Sequence, residues 1–137
     1  MSLTFGPVGV DERRDVESFY RRELQRDVPL EDGQEVFVAR DGADIVAALR
    51  LCSEAGALLL RTVVVTEARR GQGIGRSLLV EASRAIGPRA CWCFPWTHLE
   101  RFYGAIGFVR VPDATVPDAL RHRTTPGGIA TYRAATR

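Results

Sequence analysis

Two periodicities alternate along the chain. Val16, Phe19, Tyr20 and Leu24 recur at helical spacing and make one apolar stripe. Asp11 is placed to cap that helix, with Glu12 favourably sited near its start. Pro29 and Gly33 break the pattern. Residues 34–40, rich in Val and Phe, then alternate as a strand does, Arg40-Asp41-Gly42-Ala43 offers a hairpin turn, and residues 44–52 return. A second turn near Ser53 to Gly56 leads to the most apolar strand, residues 57–65. Helical spacing resumes at Ile74, Leu78, Leu79, Ala82 and Ile86 and is stopped by Gly87-Pro88. A short buried strand at 90–95, a helix from His98 to Ile106 closed by Gly107, and strands at 108–111 and 129–134 follow. Residues 2–8 read as an opening strand, and the proline-marked segment 112–128 has room for one helical turn around Asp118 to His122. The order β-α-β-β-β-α-β-α-β-β, without repeats or linkers, predicts a single mixed α/β domain over residues 1–137.

Composition narrows the class. The chain has 137 residues, 45% hydrophobic and 26% charged, ordinary for a soluble protein able to bury one core. Its net charge of +2, from 19 basic and 17 acidic side chains, is too balanced to indicate a nucleic-acid binder. Every basic residue other than histidine is Arg. Cys52, Cys91 and Cys93 lack the spacing of a redox or zinc site and read as buried small apolar residues of a protein in a reducing cytoplasm. No metal site is expected. The N-terminus lacks the pattern of a signal peptide, and the purely apolar runs are too short to span a membrane.

Chemistry concentrates in Arg69-Arg70-Gly71-Gln72-Gly73-Ile74-Gly75-Arg76, between an apolar strand and a helix. A helix start offers free N–H groups and partial positive charge, and glycines let an anion approach the backbone. That combination suits a phosphate. A nucleotide-triphosphate P-loop requires a Lys, which this chain lacks. A dinucleotide fingerprint requires a third glycine where Arg76 stands, and a place after the first strand of a βαβ unit.

Arg70-Gly71-Gln72-Gly73-Ile74-Gly75 resembles the Arg/Gln-x-x-Gly-x-Gly/Ala pyrophosphate loop of the GNAT superfamily of N-acetyltransferases. The flanking Val63–Arg69 and Arg76–Leu79 resemble the strand and helix around that loop. Phe102-Tyr103-Gly104-Ala105-Ile106-Gly107-Phe108 is similar to the family's Phe-Tyr-x-x-x-Gly-Phe segment. The likeness is good over about residues 34–111.

The resemblance implies a central mixed, mostly antiparallel sheet flanked by helices. Two parallel strands, 57–65 and 90–95, would splay apart around acetyl-CoA. By the same resemblance, backbone N–H groups of Gly71, Gln72, Gly73, Ile74, Gly75 and Arg76, with Arg70, hold the pyrophosphate. The pantetheine arm runs beside Val63, Val64 and Val65, and a backbone N–H near Val65 faces the carbonyl oxygen. Tyr103 stands where the family places a proton donor for the leaving thiolate. The implied reaction is direct acetyl transfer from acetyl-CoA to the primary amine of a small molecule: an amino acid, or an amino-bearing antimetabolite or antibiotic. A non-catalytic acyl-CoA-binding module and a protein or peptide acetyltransferase are the alternatives. A homodimer is compatible with the family; nucleic acid and membrane partners are not expected. The general base stays open among Glu23, His98 and water, with Glu54, Glu67 and Glu100 reading as surface residues. Where many relatives carry an Asn, this chain has Phe94-Pro95-Trp96-Thr97. The acceptor is expected to be set by the first helix, residues 27–34 and segment 112–128.

Overall fold

Hairpin turns at residues 42–43 and 55–56 bring three strands together. The computed structural model describes residues 2–136. Strands β1 (Leu3–Pro7), β2 (Glu35–Asp41), β3 (Asp44–Glu54) and β4 (Ala57–Val65) form an antiparallel meander. Strands β5 (Cys91–Cys93), β6 (Val109–Val111) and β7 (Ala130–Arg133) extend it into a seven-stranded sheet of order β1-β2-β3-β4-β5-β7-β6. The β4–β5 pair is parallel and the others antiparallel, so the sheet is mixed and mostly antiparallel, flanked by helices, as expected.

Alternation along β3 assigns the two faces. Ala47, Leu49 and Leu51 join a core with Ile74, Leu78, Leu79, Ala82 and Ile86 of α2 (Ile74–Ile86). Ala48 faces the other way, beneath Val16, Phe19 and Tyr20 of α1 (Arg13–Leu24). A third cluster, Leu59, Val116, Leu120 and Ala130, packs the 112–128 segment over the same side as α1 but further along the sheet. The α1 face therefore carries two separate covers, and cavities lined by Arg61 lie where they meet.

Several local expectations shift. Asp11 lies inside a 3₁₀ turn (Val10–Glu12), and Glu12 precedes α1, so Asp11 does not cap it. The helix expected from His98 to Ile106 is a 3₁₀ turn at Thr97–Leu99 followed by α3, Glu100–Gly104. Segment 112–128 contains two 3₁₀ stretches, Asp113–Thr115 and Asp118–Arg123. Strand β5 stops at Cys93 rather than Pro95. Pro95 has no N–H for a ladder, and its carbonyl accepts from Ile129 N at 3.0 Å. Cys52, Cys91 and Cys93 are buried free thiols. Among the described residues no helix is long and apolar enough to cross a membrane, and no group of His, Cys, Asp and Glu is arranged to hold a metal ion.

Candidate active site

The site begins where the parallel pair fails. β4 is nine residues long, yet its register with β5 rests on Leu59 opposite Trp92. Two features open the gap beyond. In β4 a bulge shifts the register between Ala48–Val64 and Arg50–Arg61, with Thr62 at φ 56°. Such a backbone is strained for a β-branched residue. It is held by Tyr20, whose hydroxyl donates to the Thr62 carbonyl at 2.8 Å, and by Arg50, which donates to Thr62 Oγ1 from Nε and Nη2 at 3.0 and 2.8 Å. On the other side, the chain after Cys93 leans towards β7, through the Pro95–Ile129 hydrogen bond and a bridge between Trp96 and Gly128. Residues 61–65 are thus left without a strand partner on one side. Thr66 N bonds Val46 O at 2.8 Å, so by alternation Val65 presents its peptide groups to the gap.

At the far end of this half-strand the glycine stretch frames a cavity of about 350 Å³, lined by Val65, Arg69 to Gly71, Gly73 to Arg76 and Phe102. Gly71 and Gly73 both sit at φ 79°, a conformation natural to glycine. Gly73 precedes α2 with no side-chain cap, and the first turn holds no acidic residue. Its leading N–H groups are therefore open to an anion. Gly75 answers to packing instead: a Cβ there would lie 3.1 Å from Phe102 Cζ and 3.3 Å from Val65 Cγ2. Arg70 reaches back to the Val65 carbonyl, Nε to O 3.2 Å, and Arg76 is exposed. Arg69 is tied to Asp41 at 2.9 Å and donates to Gln72 Oε1 at 3.0 Å, so the Gln72 side chain is occupied with shaping the loop.

At the near end lies a second cavity, about 380 Å³. α3 spans the two: Phe102 lines the loop cavity and Tyr103 this one. Tyr103 is 6% exposed, its ring edge-on to Phe102 at 5.0 Å and to Phe108 at 6.4 Å. Burial, and then the neighbouring Cys93, push its phenol well above the usual tyrosine range, so it stays a proton-bearing donor. Cys93 shares the wall, its thiol also pushed up by burial. Trp96, 56% exposed, closes one side over Gly127. Trp92 instead stacks on Phe94 and Tyr132 in the core. His122 and Arg123 enter from the 112–128 segment and Arg26 from the chain after α1. Arg123 and His122 both meet Glu54, the latter with Nε2 3.3 Å from Oε2; the Arg123 bond holds the Glu54 carboxyl below its usual range.

Phe19 and Tyr20 are core residues. Glu23 pairs with Arg22 at 3.1 Å and Glu100 faces Arg110 at 3.9 Å, while Glu67 and His98 are exposed; none of the four lines either cavity. Of the expected acceptor-side segments, residues 27–34 and segment 112–128 meet: an adjoining cavity of about 320 Å³ is lined by Arg26 to Pro29, Glu31, Gln34 and Arg123, while no residue of α1 lines this cavity or the one beside Tyr103. The residues missed from sequence are Arg26, Arg61, His122 and Arg123. They are scattered over the chain with no shared spacing, so nothing local marks them.

The sequence profile of the acetyltransferase (GNAT) domain matches residues 32–110. No curated protein matches significantly. An acyl-CoA N-acyltransferase from Pseudomonas aeruginosa superposes with a TM-score of 0.70 at 22% identity, covering 97% of this chain and 100% of that one. The ribosomal-protein-S18-alanine N-acetyltransferase of Escherichia coli gives 0.73 at 14%, covering 99% and 96%. N-acetylglutamate synthase from Neisseria gonorrhoeae, solved with coenzyme A and L-arginine, gives 0.71 at 14%, covering 98% of this chain and 34% of that one.

Proposed function

The chain belongs to the GNAT acetyltransferase family, an acetyl-CoA-dependent acyltransferase class, and from that premise we propose that it transfers acetyl to the primary amine of a small molecule lodged beside Tyr103. The observation that carries this reading is the unpaired half of β4, which runs from an uncapped, glycine-led helix start to a buried phenol. When bound, acetyl-CoA supplies the acetyl group as an activated thioester. The residues fit it: backbone N–H groups from Gly71 to Arg76 meet the pyrophosphate with Arg70 and Arg76 adding charge, and the free edge of Val63–Val65 takes up the pantetheine arm as an added strand does.

The chain's own groups then have three tasks. The Val65 N–H, facing the gap, donates to the carbonyl oxygen as negative charge grows there. Tyr103 hydrogen-bonds the sulfur as the N–C bond forms and the C–S bond breaks, and the second amine proton passes to the sulfur, which leaves as the coenzyme A thiol. Its raised pKa favours a hydrogen bond to the departing thiolate over full proton loss. The proton that the acceptor ammonium must shed goes to His122. Cys93 and Tyr103 hold their protons too firmly to serve, whereas the His122 imidazole lines the same cavity and Glu54 orients its ring.

The test is release of coenzyme A thiol from acetyl-CoA on adding amines one at a time. Amine-dependent release is expected, and His122→Gln should lower kcat by about 100-fold, the lower bound for a positioned base, with the acetyl-CoA KM little changed. Acetyl-CoA that fails to bind would sink the reading. An unaltered kcat in His122→Gln would remove the base assignment alone. Release with peptide amines and no small amine would move the acceptor to proteins.

A further inference from the structure

The acceptor side of the groove has a charge pattern that the acetyl-transfer reading leaves unexplained. The cavity beside Tyr103 is lined by Arg26, Arg61, Arg123 and His122, and by no Asp or Glu. The adjoining cavity shares those three arginines and adds buried Arg50. These four cations come from four separate places: the chain after α1, β3, β4 and the 3₁₀ stretch Asp118–Arg123. The carboxylates of the outer wall are Asp27, Glu31 and Glu54. Asp27 is taken by Arg21 at 2.8 Å and Glu54 by Arg123. Glu31 then stands alone against Arg26, Arg50 and Arg61. Arg50 spends its donors on Thr62 Oγ1 and Gln34 Oε1, neutral acceptors.

Arg61 is the informative member. It is half-buried at the start of the unpaired half of β4, and its side chain has no hydrogen bond and no ion pair among the described residues. Burial, then Arg123 and Arg50, lower its pKa from the ordinary arginine value. A cation in that position is destabilised until an anion joins it. A guanidinium fork matches a carboxylate in a planar, two-bond geometry.

We propose that the acetyl acceptor is a primary amine that also carries a carboxylate, bound by Arg61 with Arg26 at the mouth while the amine turns towards Tyr103. This rests on the acetyl-transfer reading and specifies its acceptor. The arrangement excludes polyamines, whose second cation would meet the same arginines. It also sets the acceptor's polarity: anionic end towards the outer cavity, nucleophile towards the unpaired half of β4.

Matched pairs test it: L-amino acids and their C-terminal amides, with thiol release from acetyl-CoA as readout, alongside spermidine. The acids are expected to exceed their amides in kcat/KM by at least about tenfold, the scale of losing a charge-assisted contact. Arg61→Gln should raise KM for the acids by about ten- to a hundredfold with kcat and the acetyl-CoA KM little changed, and should not raise KM for the amides. Arg61→Lys should recover part of the loss. Arg26→Gln, at an exposed position, gives a smaller shift of the same kind and guards against misfolding of the first variant. Equal rates on acids and amides, or unchanged acid KM in Arg61→Gln, overturn the proposal. Turnover of spermidine or other cationic amines, with neither member of any pair, overturns it while acetyl transfer stands. No release with any amine, in protein that binds acetyl-CoA, removes the transfer reading and this inference with it.

Discussion

The two ends of the groove are built by different means. Around the loop cavity every lining residue except Phe102 falls between Val65 and Arg76. The work there is done by backbone: positive-φ glycines, an uncapped helix start and the free edge of β4. Around the cavity beside Tyr103, proposed to take the acceptor, the wall runs from Arg26 to Thr125, and the work is done by side chains. The first end is a local conformation that a short motif can specify. The second is a meeting of segments that touch only after the sheet has formed. A protein built this way can hold its coenzyme end fixed while changing what it acetylates, because few residues serve both ends.

Tyr103 is where the ends should separate most sharply. It belongs to the motif-bearing part of the chain but lines the acceptor cavity. Tyr103→Phe is expected to lower kcat about 100-fold, at the lower bound for a positioned proton donor, while the acetyl-CoA dissociation constant stays within about twofold. Its hydroxyl makes no hydrogen bond among the described residues, so the fold should not suffer. Parallel loss of coenzyme affinity would mean that the phenol belongs to the loop end after all.

Gly75 tests whether the ends are independent. A Cβ at Gly75 must displace Phe102, 3.1 Å away, and Phe102 packs edge-on against Tyr103. Gly75→Ala should therefore reach the chemistry from within the loop, lowering kcat by about tenfold through misplacement of Tyr103 and stability by about 1–2 kcal/mol through overpacking. Steady-state kinetics and a urea midpoint read both. A change confined to the acetyl-CoA KM would show that Phe102 yields without moving its neighbour.

The same contrast governs what was legible in the sequence. Alternation at 34–40 and 44–52, and helical spacing from Ile74 to Ile86, placed β2, β3 and α2 within a residue or two, since each pattern is set by a local period facing one core. The glycines announced a phosphate-compatible helix start for the same reason. The splay was suggested by resemblance, but its causes lie elsewhere. Pro95 was visible and its consequence for β5 was not, while the bulge at Thr62 depends on Tyr20 and Arg50, far apart in the chain. Arg61 reads as one polar interruption in an apolar strand. What surrounds it comes from residues 26, 50 and 123, so no window of sequence contains the pattern.

The acceptor side also concentrates buried ionisable groups, and this should appear at high pH. Cys52 of β3 and Cys93 of β5 line its cavities, Cys91 packs two residues before Cys93 in the α2 core, and all three thiols are raised by burial, Cys91 up to about 12. Below the ordinary thiol pKa, folded and unfolded chains are both protonated and stability is complete. As pH rises, the unfolded thiols ionise first, so stability falls until the folded pKa is passed. Each such group contributes a slope of about 1.4 kcal/mol per pH unit. Urea midpoints between pH 8 and pH 11 should decline, and Cys91→Ala should make that decline shallower. An equal slope in the variant would mean that Cys91 ionises freely in the folded protein.

The smallest effect is expected at Gln72, and it decides how the loop end works. Gln72 stands inside the glycine motif, and its backbone N–H was expected, with those of its neighbours, to contact the coenzyme. Yet the loop cavity is lined by its neighbours on both sides and not by Gln72, whose Oε1 accepts from Arg69 Nε at 3.0 Å on the exposed side. Arg69 keeps its bond to Asp41 without it. If the pyrophosphate is held by peptide N–H groups, as at other helix starts, Gln72→Ala should change stability by less than about 0.5 kcal/mol, as surface substitutions usually do, and leave acetyl-CoA affinity within about twofold. Calorimetric titration with acetyl-CoA measures this directly. A tenfold loss would mean that the Gln72 side chain leaves Arg69 to grip the phosphate, and the loop end would then share the side-chain logic of the acceptor end.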